Sequence, residues 1–167
     1  MRLAASSLIL FAAMLPCAAQ AKSADRSQPM DVEADRTDAM LGDDSDSILS
    51  GNVKITQGTL EVDADKAVIH RKDGDISQVV LNGSPARLKQ VSDTGEPMNA
   101  QASQIVYALT SDVVVLTGGV VIEQPRGTLR GETIKYDLKT GRLDGGGDGK
   151  RVQMRIMPKT KTPDGSH

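Results

Sequence analysis

The chain has 167 residues, with 20 Lys and Arg against 22 Asp and Glu and a formal net charge of −2. Only 2% of its residues are aromatic, and it has one cysteine, two histidines and no tryptophan. A zinc or copper site built on cysteine and histidine therefore lacks its ligands. The chain also lacks aromatic faces on which bases or sugars could stack, and nucleic acid is not an expected partner.

Residues 1–21 have the pattern of a secretory signal peptide. Arg2 precedes a mostly apolar stretch from Leu3 to Leu15, and Ala19-Gln20-Ala21 fits the small-x-small rule for cleavage. Pro16 stands before Cys17 where a lipoprotein signal requires a small residue, so lipidation is not expected. The sequence predicts an exported, soluble protein that is cleaved near Ala21 and has no disulfide.

From Pro29 onward, apolar and polar residues alternate with period two. This alternation predicts many short strands, each with one buried and one exposed face. In chain order, the predicted inward residues are Met30, Val32, Ala34; Val53, Ile55; Leu60, Val62, Ala64; Ala86, Leu88; Met98, Ala100, Ala102; Ile105, Tyr107, Leu109; Val120, Ile122; Ile134, Tyr136, Leu138; and Val152, Met154, Ile156. Residues 65–69 are compatible with one helical turn, and the apolar run 113–116 is ambiguous.

Turn signals separate these predicted strands at short intervals. They are residues 73–74, 82–85, 93–95, 117–119, 140–141 and 145–149, all containing glycine. The glycine cluster 145–149 lacks the Lys-Ser/Thr pair of a phosphate-binding loop, so it is predicted to be a mobile hairpin connection.

The chain contains an internal repeat. Residues 51–60 return as residues 118–129 with Pro125-Arg126 inserted, and both Gly51 and Gln57 recur 67 positions later. A second match, 29–34 with 97–102, has a shift of 68. Two copies of this length favour a sandwich-like all-β fold from two related halves over a solenoid, which needs shorter and more numerous repeats.

No group of residues predicts catalysis. His70 is the only histidine inside the predicted fold, and no serine has the surroundings of a nucleophile. Asp63 and Asp65 lie on the predicted outer face of a strand, and residues 43–46 lack the glycine and glutamate of a calcium loop. We therefore expect no enzyme activity, no catalytic residue, no metal and no cofactor.

Charge is distributed unequally along the chain. Residues 31–65 contain ten acids and two bases, whereas residues 139–161 contain seven bases and two acids. If the first and last strands are edge strands, copies could join end to end, with Asp31, Glu33 and Asp35 facing Arg151 and Arg155. The alternative, that segregated charge serves only solubility, stays open at this point.

Several segments of the chain together carry a family resemblance. They are residues 29–35, 50–60 with 64–66, 99–104 with Tyr107, 115–118 and 149–152. Through these segments, residues 29–157 are similar to the OstA-like family of periplasmic lipopolysaccharide-transport proteins. This range is the predicted domain, between a mature N-terminal segment 22–28 and a flexible tail 158–167.

The resemblance implies an antiparallel β-jelly roll of two facing sheets, open at one edge, that holds lipid A chains and stacks head to tail in the periplasm. The implied partners are lipopolysaccharide, an LptC-like inner-membrane protein, an LptD-like outer-membrane protein and further copies of the chain. The groove is expected to be lined by Met30, Val32, Val53, Ile55, Leu60, Leu88, Ile105, Leu116 and Ile122. Basic candidates for phosphate contacts at its rim are Arg71, Lys72, Arg87 and Lys89.

The sequence leaves two alternatives to a bridge between the two membranes. An LptC-like component would normally retain a membrane anchor, which the expected cleavage would remove. A jelly-roll hydrolase acting on cell-wall glycan would need a carboxylate pair in a cleft and aromatic sugar platforms. Tyr107 and Tyr136 are the only aromatic residues beyond the signal segment. The bridge is therefore the preferred interpretation.

Overall fold

A computed structural model describes residues 25, 27–40, 42–92, 95–146 and 150–158. The predicted signal peptide, most of the C-terminal tail and glycines 147 and 149 lie outside the described residues. Within them, ten antiparallel strands form one sheet in the order β1-β3-β4-β5-β6-β7-β8-β10, with β2 beside β3 and β9 beside β8. The strands are β1 Asp31–Glu33, β2 Arg36–Ala39, β3 Asp46–Gln57, β4 Leu60–Lys72, β5 Asp75–Val91, β6 Pro97–Ala108, β7 Val113–Gln124, β8 Gly127–Asp137, β9 Leu143–Gly145 and β10 Gln153–Ile156.

Every pair of adjacent long strands has a register shift near its middle. The shifts lie between positions 50 and 53, 63 and 66, 82 and 86, 101 and 104, and 117 and 120. A β-bulge bends a strand, and an extra residue also changes which side chains face inward. In β4, for example, the buried positions change from Leu60, Val62 and Ala64 to Ala67 and Ile69. Each long strand therefore has two arms.

The arms form two layers. Layer A contains β2, β9 and the arms near residues 46–50, 66–72, 75–82, 104–108, 113–117 and 133–137, and layer B contains β1, β10 and the arms near 53–57, 60–64, 86–91, 97–102, 120–124 and 127–131. One apolar cavity is lined by Ile55 and Leu88 of layer B together with Leu81 and Ile105 of layer A. The layers therefore face each other across the core. The predicted jelly-roll-like fold is confirmed, but its two layers are the bent arms of one sheet.

The sequence repeat is also a structural repeat. Val32 of β1 pairs with Ile55, and Ala100 of β6 pairs with Ile122, at the positions that the shifts of 68 and 67 relate. β2 pairs with layer A of β3 in the same way as the second arm of β6 pairs with β7. The two halves thus share the same strand pairing and the same bend.

The repeat also places equivalent glycines at equivalent bends. Gly51 has φ +79° and lies against the side chain of Asp35, while Gly118 has φ +85° and lies against the side chain of Ser103. Asp35 and Ser103 are themselves related by the shift of 68. A side chain at either glycine would be strained by the positive φ and would collide with that neighbour.

Several predicted turns and ambiguous segments have a different structure. Residues 82–85 and 117–119 were predicted to be turns, but they are the bulges inside β5 and β7. Residues 65–69 continue β4 and form no helical turn, and residues 113–116 begin β7 with Val114 and Leu116 inward. Glycine and proline mark a bulge as readily as a turn, because both features need unusual backbone conformations.

Other turn predictions are confirmed. Asp73 and Gly74 form the β4–β5 turn with φ values of +55° and +84°. The turn after β8 is closed by Asp137, whose Oδ1 accepts hydrogen bonds from the backbone N–H groups of Lys139 and Thr140, both at 2.9 Å. The hydrogen bond from the Thr140 backbone is the main cause that lowers the pKa of this carboxyl below its usual value.

Gly118 and Gly119 allow a test of the bend. Gly118→Ala is expected to lower the free energy of unfolding by at least about 2 kcal/mol, because it combines a positive φ with a clash against Ser103. Gly119 also has a positive φ, +59°, but open space where its Cβ would lie, so Gly119→Ala should cost about 1–2 kcal/mol. Urea unfolding measures both, and equal losses would contradict a packing role for Gly118.

Candidate functional site

The space between the two layers is lined by aliphatic side chains. Of the nine predicted groove residues, seven are buried and Met30 and Val32 are partly buried against the same apolar cluster. The buried ones are Val53, Ile55, Leu60, Leu88, Ile105, Leu116 and Ile122. The structure therefore brings all nine together on the inner faces of the sheet. Their contact with a lipid stays a prediction.

The packing inside this cluster leaves a cavity of only about 10 Å³, which is surrounded by aliphatic side chains and Tyr107. Met30 and Leu60 line it from layer B, and Val79, Tyr107 and Val114 line it from layer A. Because both layers contribute to its wall, any movement that separates the layers would enlarge it. The interior is thus an apolar compartment whose size depends on the distance between the two layers.

The mouth of the compartment lies where the free ends of the two layers approach each other. A second depression there is lined by Leu60 and Met98 of layer B and by Tyr107, Tyr136 and Leu138 from the layer A side. Its lining also includes the polar residues Asp25, Gln57, Gln90, Ser92 and Gln124. The lining is therefore apolar around the inner cavity, and it becomes a mixture of polar and apolar residues at the mouth.

The four predicted basic rim residues do not lie together. Arg71 and Lys72 are at the end of β4 in layer A, next to the β4–β5 turn. Arg87 and Lys89 flank the buried Leu88 in layer B, so they project from the outer face of the sheet. There they line a shallow outer depression with Arg130. Their contact with phosphate remains a prediction.

Lys89 also takes part in a small charge cluster on that outer face. Its Nζ lies 3.7 Å from Oε1 of Glu61, and Nζ of Lys54 lies 3.3 Å from the same oxygen. All three side chains are at least one-third exposed, so solvent screens these ion pairs. The cluster holds the outer face together only weakly.

The two ends of the strand order carry opposite charges, as the sequence predicted. Among the described residues, β1 and β2 pair only with β3, and β9 and β10 pair only with β8. Asp31, Glu33 and Asp35 are exposed at the first edge, and Arg151 and Arg155 are exposed at the other. Both groups lie beside backbone that can pair with another strand. The proposed contact between copies is not tested by this geometry.

Sequence reasoning missed two features of the site. β10 was expected to bury Met154 and Ile156, but these residues are 65% and 73% exposed, because no further strand among the described residues covers this edge of the inner face. The polar mouth was also missed. Its signal was present in the sequence, since Gln57 and Gln124 occupy the same position of the repeat.

Neither a metal centre nor a membrane-spanning helix is found in the part of the chain that the structure describes. No three His, Cys, Asp or Glu side chains there are close enough to hold a metal ion. None of the helical structure in that part is long and apolar enough to cross a bilayer. His70 instead lies with Nδ1 2.6 Å from Oδ1 of Asp46, at a partly exposed position.

Comparison with known proteins identifies the family. Residues 31–142 match the model of the family described as LptA/(LptD N-terminal domain) LPS transport protein. The chain belongs to this family. It is 36% identical over 152 residues to the lipopolysaccharide export system protein LptA of Escherichia coli K12, covering 89% of this chain and 80% of that one.

Two further LptA-family proteins extend the comparison. The chain is 31% identical over 160 residues to LptA of Haemophilus influenzae, covering 92% of both proteins. The crystal structure of LptH from Pseudomonas aeruginosa superimposes with a TM-score of 0.73 at 26% identity, covering 81% of this chain and 99% of that one. LptH is described as the LptA-homologous periplasmic component of a lipopolysaccharide transport device. The open, bent sheet is therefore the LptA fold.

Single alanine substitutions of the basic candidates are expected to leave the LptA fold intact. Arg71→Ala and Lys89→Ala should each change the free energy of unfolding by less than about 1 kcal/mol, because exposed ion pairs contribute little. The neighbouring Leu88→Ala should cost about 2–5 kcal/mol, because it leaves a cavity in the core. Chemical denaturation measures all three, and a large loss for Lys89→Ala would show that the charge cluster is structural.

Proposed function

We propose that this protein is a periplasmic lipopolysaccharide-binding protein that passes lipopolysaccharide between the inner and outer membranes without catalysing a reaction. The observation that carries this proposal is the aliphatic compartment between the two layers, which extends across the sheet towards the open edge at β10. Membership of the LptA family supports it, as does the description of the LptH relative as a periplasmic transport component.

The compartment provides what transport of an acylated molecule through water requires. Burial of an acyl chain is worth about 0.8 kcal/mol per methylene, so a twelve-carbon chain in water costs about 10 kcal/mol. Side chains such as Ile55, Leu88 and Ile122 replace the water around that chain with apolar contacts. A continuous apolar route removes this barrier, and no bond has to be made or broken.

Admission of acyl chains requires the layers to move apart. The core residues between them are Val, Ile, Leu, Met and Ala, with Tyr107 and Tyr136 as the aromatic exceptions near the mouth. Aliphatic surfaces are non-directional and separate without the loss of large interlocked ring contacts. The bulges at the bend act as hinges, since the hydrogen-bond ladder is already irregular there.

The open edges serve assembly. Copies join head to tail when β10 of one molecule meets β1 of the next, with Arg151 and Arg155 facing Asp31 and Glu33. The exposed Met154 and Ile156 continue the apolar lining into the neighbouring copy. Such a contact joins different surfaces and propagates into a rod. LptC-like and LptD-like domains of similar fold cap the two ends. Arg71 and Lys72, at the layer A end of β4, contact lipid phosphates.

Photocrosslinking tests the lipid route. With p-benzoylphenylalanine in place of Val32, which faces the interior at β1, irradiation is expected to link the protein to bound lipopolysaccharide. The same residue in place of Glu33, the next position on the opposite face, should give at least about tenfold less product, because successive strand residues face opposite sides. Crosslinking is quantified by immunoblotting, and equal yields at the two positions would contradict an internal route.

Charge reversal tests the assembly. Arg151→Glu with Arg155→Glu should weaken self-association in concentration-dependent light scattering at low salt, and addition of Asp31→Lys with Glu33→Lys should partly restore it. Lys139→Glu with Arg142→Glu makes the same charge change at the β8–β9 turn and serves as the control. If the first double variant assembles like the parent, or the control is equally impaired, the edge contact is wrong.

A further inference from the structure

The polar residues at the mouth form an ordered row across the end of layer B. Gln57 pairs with Leu60, and Gln90 pairs with Met98. Glu61 pairs with Lys89, and Asn99 pairs with Glu123. When each of these registers is continued by one residue, Leu60 lies opposite Gln90, and Met98 lies opposite Gln124. Along the sheet, glutamine and an apolar residue therefore alternate: Gln57, Leu60, Gln90, Met98, Gln124. We call these five residues the glutamine row.

The glutamine row has a regular spacing and faces inward. All five of its members line the depression at the mouth. Its glutamines lie on β3, β5 and β7, with one strand between each two of them. Because neighbouring strands are about 4.8 Å apart, successive glutamines are separated by about 10 Å. Leu60 lines both this depression and the apolar cavity beneath it, so the row borders the acyl-chain compartment directly.

One member of the row has an unused acceptor. The side-chain oxygen Oε1 of Gln90 is buried and accepts no hydrogen bond from any described residue. A buried polar atom without a partner is unfavourable, and such atoms in native proteins are usually satisfied by a ligand or by ordered water. An amide oxygen accepts hydrogen bonds, so the group that satisfies it must be an N–H or O–H donor.

The surroundings of the row favour uncharged donors over anions. Among the described residues that line the mouth there is no lysine or arginine, and the one charged side chain is that of Asp25. Thr59 Oγ1 donates a hydrogen bond to its carboxylate. A phosphate at this position would lie near the Asp25 carboxylate, and no described lining residue is a cation that could compensate for that repulsion. Amide and hydroxyl groups have no such penalty.

We infer that the glutamine row binds the amide N–H and hydroxyl groups by which acyl chains are attached to an acylated sugar, with Gln90 as the central acceptor. The apolar residues of the row, Leu60 and Met98, lie where the acyl chains pass into the compartment. Phosphates of the same ligand remain outside the mouth. The inference rests on the proposed function, and it assigns to the row the selection of N-acylated or hydroxylated lipids over lipids without these donors.

The test measures lipid A binding to the full-length mature protein, with lipid A and a dephosphorylated lipid A as probes. Gln90→Leu should weaken the binding of both probes by about tenfold, which corresponds to about 1.4 kcal/mol. Gln90→Glu keeps an acceptor oxygen and should bind the dephosphorylated probe within about twofold of the parent protein. Gln78→Leu makes the same change on the outer face of β5 in layer A, away from the mouth and from the basic depression, and serves as the matched control.

Two further measurements separate recognition from folding. The midpoint of thermal unfolding of Gln90→Leu should equal or exceed that of the parent, because the substitution removes a buried acceptor without a partner. Gln124→Leu, at an exposed member of the row, should also weaken binding of both probes. A lower midpoint for Gln90→Leu together with no rescue by Gln90→Glu would overturn the inference in favour of a structural role.

The outcomes distinguish this inference from the proposed function. If the parent protein binds neither probe, the proposed function fails. In a second outcome, the parent protein binds both probes, and the Gln90→Leu and Gln124→Leu variants bind them as tightly as the parent does. The proposed function then stands, but the glutamine row is not the element that recognises the lipid. A loss confined to the phosphorylated probe would assign the row to phosphate recognition and would also overturn the inference.

Discussion

The bend in the middle of the long strands is the constraint on which the rest of this structure depends. A straight antiparallel sheet of these lengths would expose its whole apolar face to water. A bulge lets each strand turn while its hydrogen-bond ladder resumes on the far side, and both arms keep their apolar residues inside. The inward positions change parity at the bend in β4, β5, β6 and β8, and they keep it in β3 and β7. Gly51 and Gly118 provide this conformation at equivalent places in the two halves.

Folding one sheet onto itself has a consequence that two separate sheets would not have. The layers stay joined along the bend, so their free ends can separate without breaking strand pairing. Such a separation would give the compartment a fixed side, where Gly118 packs on Ser103, and an adjustable side, where Tyr107 and Tyr136 line the mouth. An aliphatic interior suits this arrangement, because its contacts do not depend on a single geometry.

The repeat and the alternation of apolar residues predicted most of this fold from the sequence. Both are local patterns, and strand registers such as Val32 with Ile55 and Ala100 with Ile122 preserve them directly. The bulges were mistaken for turns, because glycine and proline permit both and only pairing on either side decides between them. The chain runs in the same direction before and after residues 82–85 and before and after residues 117–119. Each segment therefore lies inside one strand, which no local sequence pattern reveals.

The groove residues were predictable for the same reason, since burial follows the alternation. Features that depend on which strand lies beside which could not be found this way. Arg87 and Lys89 were selected because they flank an apolar strand, yet that position puts them on the outer face of layer B. The exposure of Met154 and Ile156 follows from the absence of a further described strand beside β10. The sequence predicts which face of the sheet a residue occupies more reliably than it predicts which strands lie beside that residue.

The direction in which copies stack determines what a moving ligand would encounter. The proposed head-to-tail contact between β10 and β1 would extend the sheet perpendicular to its strands, which is also the direction of the glutamine row. A ligand that moved along this axis would pass Gln57, Gln90 and Gln124 at intervals of about 10 Å, with an apolar residue between each two. Because each step offers similar chemistry, the row favours no direction of travel. In the proposed assembly, direction would therefore have to come from the proteins at its two ends.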